Sequence, residues 1–167
     1  MHNAIKILKT ELAKHKSRKY RINAQPFFKE KLDNPWMLRG AVFKKISAAG
    51  YKELKGMSKK EVLDICDEVL ATNLEARQGF AFDWAWRQRK HFEPKDFARF
   101  ERWVKREVSN WGACDSICCR ALGHLLLMYP ELIPRTKKWA RSRNMWQRRA
   151  SAVCLIPSLR KGQTHRR

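Results

Sequence analysis

The chain has 167 residues, enough for one domain with a single sizeable core, and its seven tryptophans and 44% hydrophobic residues exclude a disordered chain. Thirty-seven Lys and Arg against sixteen Asp and Glu leave a net charge of +21, so the partner is a polyanion: nucleic acid first, because phosphate neutralisation releases counterions, and an anionic membrane surface second. The most apolar segment, Ala121 to Tyr129, is short and contains His124, so no membrane-spanning helix is expected.

Ile5, Leu8 and Leu12 predict a helix over residues 4 to 16. The basic run that follows, Lys14, Lys16, Arg18, Lys19 and Arg21, reads equally well as a solvated helix end or as a phosphate contact. Residues 22 to 35 read as loop or short helix, broken by Pro26 and Pro35, and a helix is expected over Met37 to Ala49, ending at Gly50. Ser58-Lys-Lys-Glu61 is a capping box that opens a helix with Val62, Cys66, Val69 and Leu70 as its apolar stripe. Asn73 is expected to cap a helix through Gln88 that carries Phe80, Phe82, Trp84 and Trp86. Pro94 opens the next, with Phe97, Phe100, Trp103 and Val104 inward. Asn110 opens another, Pro130 another, and Asn144 with Gln147 three residues on another.

The first helix of each pair thus begins near Ser58, Pro94 and Pro130, thirty-six residues apart each time, and the second near Asn73, Asn110 and Asn144. A helical hairpin repeated at that period is the sequence form of a solenoid, because one pair cannot bury its apolar face alone. The expected fold is all-α, an α-α superhelix in one domain over 1–157 with a basic polar tail at 158–167. Its concave groove would be lined by the second helix of each pair, which carry Trp84 and Trp86, then Trp111 and Asp115, then Trp146, Arg148 and Arg149.

Within Asn110-Trp-Gly-Ala-Cys-Asp115, Trp111 and Asp115 stand four residues apart, so a helix puts an indole and a carboxylate on one face. Downstream, Glu131 is the last acidic residue, and the chain beyond it is rich in Arg and Lys. Plainer readings stand beside the functional one: Trp111 as a core aromatic, Asp115 as a surface ion pair, Arg149 as a stem covering apolar surface. Trp84, Trp86, Trp103 and Trp139 read as packing.

The five cysteines are odd in number and mostly lie among apolar residues at helical spacing, the usage of buried reduced thiols in a cytoplasmic protein. The N-terminus lacks the apolar core of a signal peptide, which supports the same expectation. Cys114, Cys118, Cys119 and His124 do not have the spacing of a zinc knuckle, so no metal is expected. No glycine-rich phosphate loop, Ser-His-Asp order or His-Glu-x-x-His motif is present, and no cofactor is expected.

The blocks Gly56-Met-Ser-Lys-Lys-Glu-Val62, Glu75-Ala-Arg-Gln-Gly-Phe-Ala-Phe-Asp-Trp-Ala85, Phe100-Glu-Arg-Trp103, Asn110 to Asp115, and Trp139-Ala-Arg-Ser-Arg-Asn-Met-Trp-Gln-Arg-Arg-Ala150, in that order, make residues 51 to 157 resemble the AlkD-type DNA alkylation repair proteins. These are DNA glycosylases built from HEAT-like helical repeats. The resemblance implies hydrolysis of the N-glycosidic bond of alkylated purines, such as N3 and N7 adducts, in double-stranded DNA; a monomer is expected. It places the roles at the lesion on Trp111 and Asp115 and a backbone contact on Arg149. Arg148, Arg143, Arg141 and Lys138 would hold phosphates, which positions the duplex without reading sequence.

The residue types suit that chemistry. An alkylated purine is already cationic and leaves readily, so the need is to stabilise positive charge developing on the sugar, as a nearby carboxylate does. An indole face favours a cation by about 0.5 to 2 kcal/mol. The resembling family continues by at least one more helical pair, so a chain ending in Gly162-Gln-Thr-His-Arg-Arg167 is expected to complete its groove differently or to be a shortened member. From this come the alternatives: a non-catalytic DNA-binding scaffold, or a helical repeat that holds an acidic protein segment.

Overall fold

Helical stripes rather than strand alternation dominate the sequence, and in the computed structural model, which describes residues 1–27, 29 and 36–162, the protein is all-α apart from one short hairpin. The chain divides into two compact units, Met1–Phe80 and Ala81–Arg167.

In the first unit, α1 (Asn3–Lys14) buries Ala4, Ile5, Leu8 and Leu12, the stripe expected there, and packs on α2 (Gly40–Tyr51). Between them, β1 (Arg21–Asn23) pairs antiparallel with β2 (Trp36–Leu38), with Ile22 opposite Met37. This hairpin corrects the loop-or-helix reading only at Ile22 and Asn23; Gln25–Phe27 form the short helix that reading allowed, as a 3-10 turn, and 28 and 30–35 lie outside the described residues. Strands of three residues are too short to display a period of two, so the sequence carried no signal. A second correction concerns α2, which starts at Gly40 rather than Met37 and runs through Gly50, buried inside it, into a 3-10 turn over Lys52–Leu54. A glycine stops a helix where the backbone turns left-handed, and that conformation belongs to Gly56, at φ +82°.

The capping box at Ser58 is complete: Ser58 Oγ accepts from the Glu61 amide at 3.3 Å, and Glu61 Oε2 accepts from the Ser58 amide at 2.8 Å. It opens α3 (Lys59–Leu70), which buries Val62, Cys66, Val69 and Leu70. The next helix, α4 (Arg77–Arg87), begins three residues later than an Asn73 cap requires. Thr72 explains the delay, because its hydroxyl donates to Val69 O at 2.6 Å and accepts from the Leu74 amide at 3.3 Å, holding the chain in a turn. Ala76 then takes a left-handed backbone, φ 58°, before its carbonyl receives the Phe80 amide at 3.1 Å. That conformation costs a residue with a Cβ about 1 kcal/mol or more, whereas glycine adopts it freely. Ala76→Gly is therefore expected to raise stability by about 0.5 to 1 kcal/mol, read as a higher urea midpoint at constant slope; a lower midpoint would show that Ala76 is not strained.

The second unit is built on aromatic residues. Pro94 sits in the first turn ahead of α5 (Asp96–Arg106), where Asp96 Oδ2 accepts from the Glu93 amide at 2.8 Å. Phe97, Phe100, Trp103 and Val104 point inward as the stripe predicts. Phe82 meets Trp103 at 5.9 Å, Phe92 meets Phe100 at 5.1 Å, and Phe97 stacks on Trp139 at 5.7 Å between ring centres. Trp84 is fully buried in this core, as its reading as packing requires, and so takes no place on a groove wall; Trp86 is half-buried, edge-on to His124 with Arg89 over its ring. α6 (Trp111–Ile117) widens into a π turn over Cys118–Leu122 and continues as α7 (Gly123–Met128). Pro130 opens a 3-10 turn before α8 (Ile133–Lys137), and a further 3-10 turn over Lys138–Arg141 leads to α9 (Met145–Val153) and α10 (Ile156–Arg160). Residues 158–160, read as the start of a tail, are helical, and Ser158 is buried; 163–167 lie outside the described residues. No helix among the described residues is long and apolar enough to cross a membrane.

Candidate active site

Two capped helices set the site. Asn110 has an extended backbone, and its Oδ1 accepts from the Ala113 amide at 2.9 Å, so α6 starts at Trp111 and places Asp115 one turn further on. The cap of α9 is a relay rather than the reciprocal box that Asn144 and Gln147 suggest. Asn144 Oδ1 accepts from the Trp146 amide at 2.8 Å, while Ser142 Oγ donates to Gln147 Oε1 at 2.6 Å and itself accepts from the Asn144 amide at 3.1 Å. Asn144 Nδ2 donates to Lys105 O at 3.1 Å, which ties the start of α9 to the end of α5.

The helices lie side by side and parallel. The Cys114 thiol reaches Trp146 O at 3.8 Å, Asp115 meets Arg149, and Gly123 lies against Cys154 O and Pro157, so the register advances together along both. Arg149 donates to Asp115 Oδ1 from Nε at 3.1 Å and Nη2 at 2.9 Å, and from Nη2 to Oδ2 at 3.0 Å. Oδ2 takes one bond where Oδ1 takes two, which leaves it acceptor capacity. The Asp115 and Arg149 side chains are 35% and 42% exposed, and Trp111 is 40% exposed on the same face of α6 as Asp115. The hydrogen bond to Asp115 holds the Arg149 guanidinium above its ordinary range.

The site thus joins a part-exposed carboxylate, held by a planar guanidinium, to an exposed indole one turn away on the same helix. The sequence profile of the DNA alkylation repair enzymes matches residues 8–167. The chain belongs to the DNA alkylation repair enzyme family. Curated proteins compared with the chain give no match. As a DNA alkylation repair enzyme it acts in the repair of alkylation damage, and DNA is its substrate.

Of the other site residues expected in this DNA alkylation repair enzyme, Lys138 and Arg141 lie on the 3-10 turn before α9 and Arg143 in the bend that follows; all three are exposed, with side chains that have no partner among the described residues. Arg148 differs, because its Nη1 donates to Ser142 O at 2.7 Å and Arg143 O at 3.0 Å and so stiffens that bend. Sequence reasoning missed two features. Ser142 carries the cap relay, which no local pattern announces. Met145, 56% exposed at the start of α9 and four residues before Arg149, shares the face of the guanidinium.

Behind Asp115, the thiols of Cys114 and Cys118 meet at 4.0 Å. Cys118 is pushed well up, foremost by its hydrogen bond with Cys114, and burial pushes Cys154 up to about 12. Burial also raises the half-buried Cys119. These three thiols are protonated at neutral pH and supply no nucleophile there.

Proposed function

We propose that this protein is a DNA glycosylase that hydrolyses the N-glycosidic bond of positively charged alkylated purines, N3 and N7 adducts, in duplex DNA. The observation that carries the reading is the part-exposed Asp115 carboxylate, held by three hydrogen bonds from Arg149 on the helix face that also presents Trp111.

The chemistry follows from where charge develops. The alkylated base leaves as a neutral purine and needs no acid, while positive charge builds on the sugar. Asp115 stabilises that charge, and Oδ2, the oxygen with spare acceptor capacity, orients the attacking water. Fixing the carboxylate beforehand matters, because a preoriented group has no reorganisation left to undergo during the reaction. Trp111 supplies a π face, so cationic nucleotides are preferred over neutral ones by about 0.5 to 2 kcal/mol, roughly 2- to 30-fold. Lys138, Arg141 and Arg143 hold phosphates around the lesion.

Duplexes with a single N7-methylguanine and with hypoxanthine, a neutral lesion, separate the alternatives. Free base is expected from the first only, and Trp111→Ala is expected to slow that release within the same 2- to 30-fold range while leaving affinity for undamaged duplex nearly unchanged. Equal release of both lesions would remove the charge argument. The Arg149 pair also favours a second reading, a DNA-binding protein without catalysis, since a neutralised carboxylate is a weaker partner for a sugar cation. In that case duplex affinity falls steeply with salt and no base is released from either substrate.

A further inference from the structure

The basic run after α1 divides by partner. Lys14 pairs with Glu11 at 2.7 Å, Lys19 lies over the Tyr20 ring at 4.8 Å, and Arg21 is bound to Glu75 through Nη1 and Nη2. Arg21 is buried and spends its remaining donors on the backbone: Nε donates to Lys16 O at 3.2 Å and Nη1 to Trp36 O at 3.1 Å. Two cations are left over. Among the described residues Lys16 has no side-chain partner and Arg18 has only the Trp36 ring, with Cζ 4.8 Å from its centre. Both are exposed, and both line an open cavity of about 360 Å³ with Arg21, Trp36 and Glu75.

We propose that this cavity is a phosphate-binding site of the first unit, with Lys16 and Arg18 as its ligands and the phosphate of a nucleotide, in a DNA strand or free, as its occupant. Three features make it more than a stretch of basic surface. The backbone beneath Lys16 is pinned by the buried Arg21 guanidinium, so this ammonium projects from a fixed point. The indole holds the Arg18 guanidinium flat, which limits the rotamer freedom it loses on binding an oxyanion. Glu75 would repel an anion if it stood alone, but its bidentate pairing with Arg21 cancels its charge, so the cavity wall keeps the two positive charges of Lys16 and Arg18. A strand phosphate there adds to the affinity for DNA whatever the base sequence and whether or not a lesion is present.

The proposal rests on the family's DNA substrate but not on the assignment of Asp115, and undamaged DNA tests it without any base release. Binding of a fluorescein-labelled undamaged duplex is measured by anisotropy across a NaCl series, for the wild type and for the double variant Lys16→Ala, Arg18→Ala. The slope of log K against log salt is expected to fall by about one to two, with affinity weakened about tenfold at low salt. Arg18→Lys, which keeps the charge and loses the stack, should recover most of the slope and only part of the affinity. Both positions are exposed, so thermal melting is expected to be unchanged, and it is recorded for each variant. A second arm titrates deoxyadenosine monophosphate by calorimetry. An unchanged duplex slope together with saturable nucleotide binding that the double variant loses supports the site with a free nucleotide as occupant. Wild-type behaviour of the double variant in both arms overturns it.

Discussion

Gly123→Ala is expected to destabilise the second unit by at least about 3 kcal/mol, seen as a fall in Tm of about 6 °C or more. A Cβ at this position would stand 2.3 Å from Cys118 O, 2.6 Å from Pro157 Cγ and 3.0 Å from Cys154 O. Two of these are backbone atoms on different elements, so no side-chain rotation relieves the overlap. The cause is the π turn over Cys118–Leu122, whose wider winding brings the Cys118 carbonyl over Gly123, while the segment from α9 to α10 closes from the other side. Because this turn joins the helix of Asp115 to α7, the variant should also lose activity in proportion to the fraction unfolded. A Tm within about 2 °C of wild type would show that the segment after α9 gives way freely.

Asp115→Asn is expected to slow release of N7-methylguanine by about 10²- to 10³-fold, the usual scale for removing one preorganised electrostatic contact with a transition state. Stability should change by no more than about 1 kcal/mol, because a half-exposed ion pair contributes about 0.2 to 1 kcal/mol. Asparagine is nearly the same shape and still accepts a hydrogen bond from Arg149, so the variant removes charge and little else. Affinity for undamaged duplex should hold or rise, since Arg149 is released from its carboxylate. The prediction fails if lost activity tracks lost folding in melting curves, because Asp115 would then be structural.

Features set by neighbours in sequence were legible and those set by distant ones were not. The Ser58 to Glu61 box, the Asn110 cap and the Asn144 cap were readable because a cap is decided within three or four residues. The Phe97, Phe100, Trp103, Val104 stripe was readable for the same reason. The Asp115 to Arg149 pair spans 34 residues, so sequence could name both ends as candidates but not their three hydrogen bonds. Trp84 and Trp86 show the limit on a smaller scale: two aromatics in one helix, one sealed in the core and one half-buried, are told apart only by what packs on each. Gly50 and Gly56 follow the same rule, since a glycine permits a left-handed backbone and the surrounding fold decides whether it is used. The unreciprocated Gln147 needed Ser142, whose role depends on the bend and not on a spacing.

In the proposed reaction the Arg149-held carboxylate of Asp115 does the chemistry on a cationic nucleotide. The most direct test is single-turnover release of free 7-methylguanine from a duplex bearing one lesion, with excess wild-type protein, with excess Asp115→Asn, and with no protein. Release by the wild type well above spontaneous loss, and by Asp115→Asn close to it, is the expected result. Equal rates from the two proteins, or no release above the protein-free duplex from either, would contradict it.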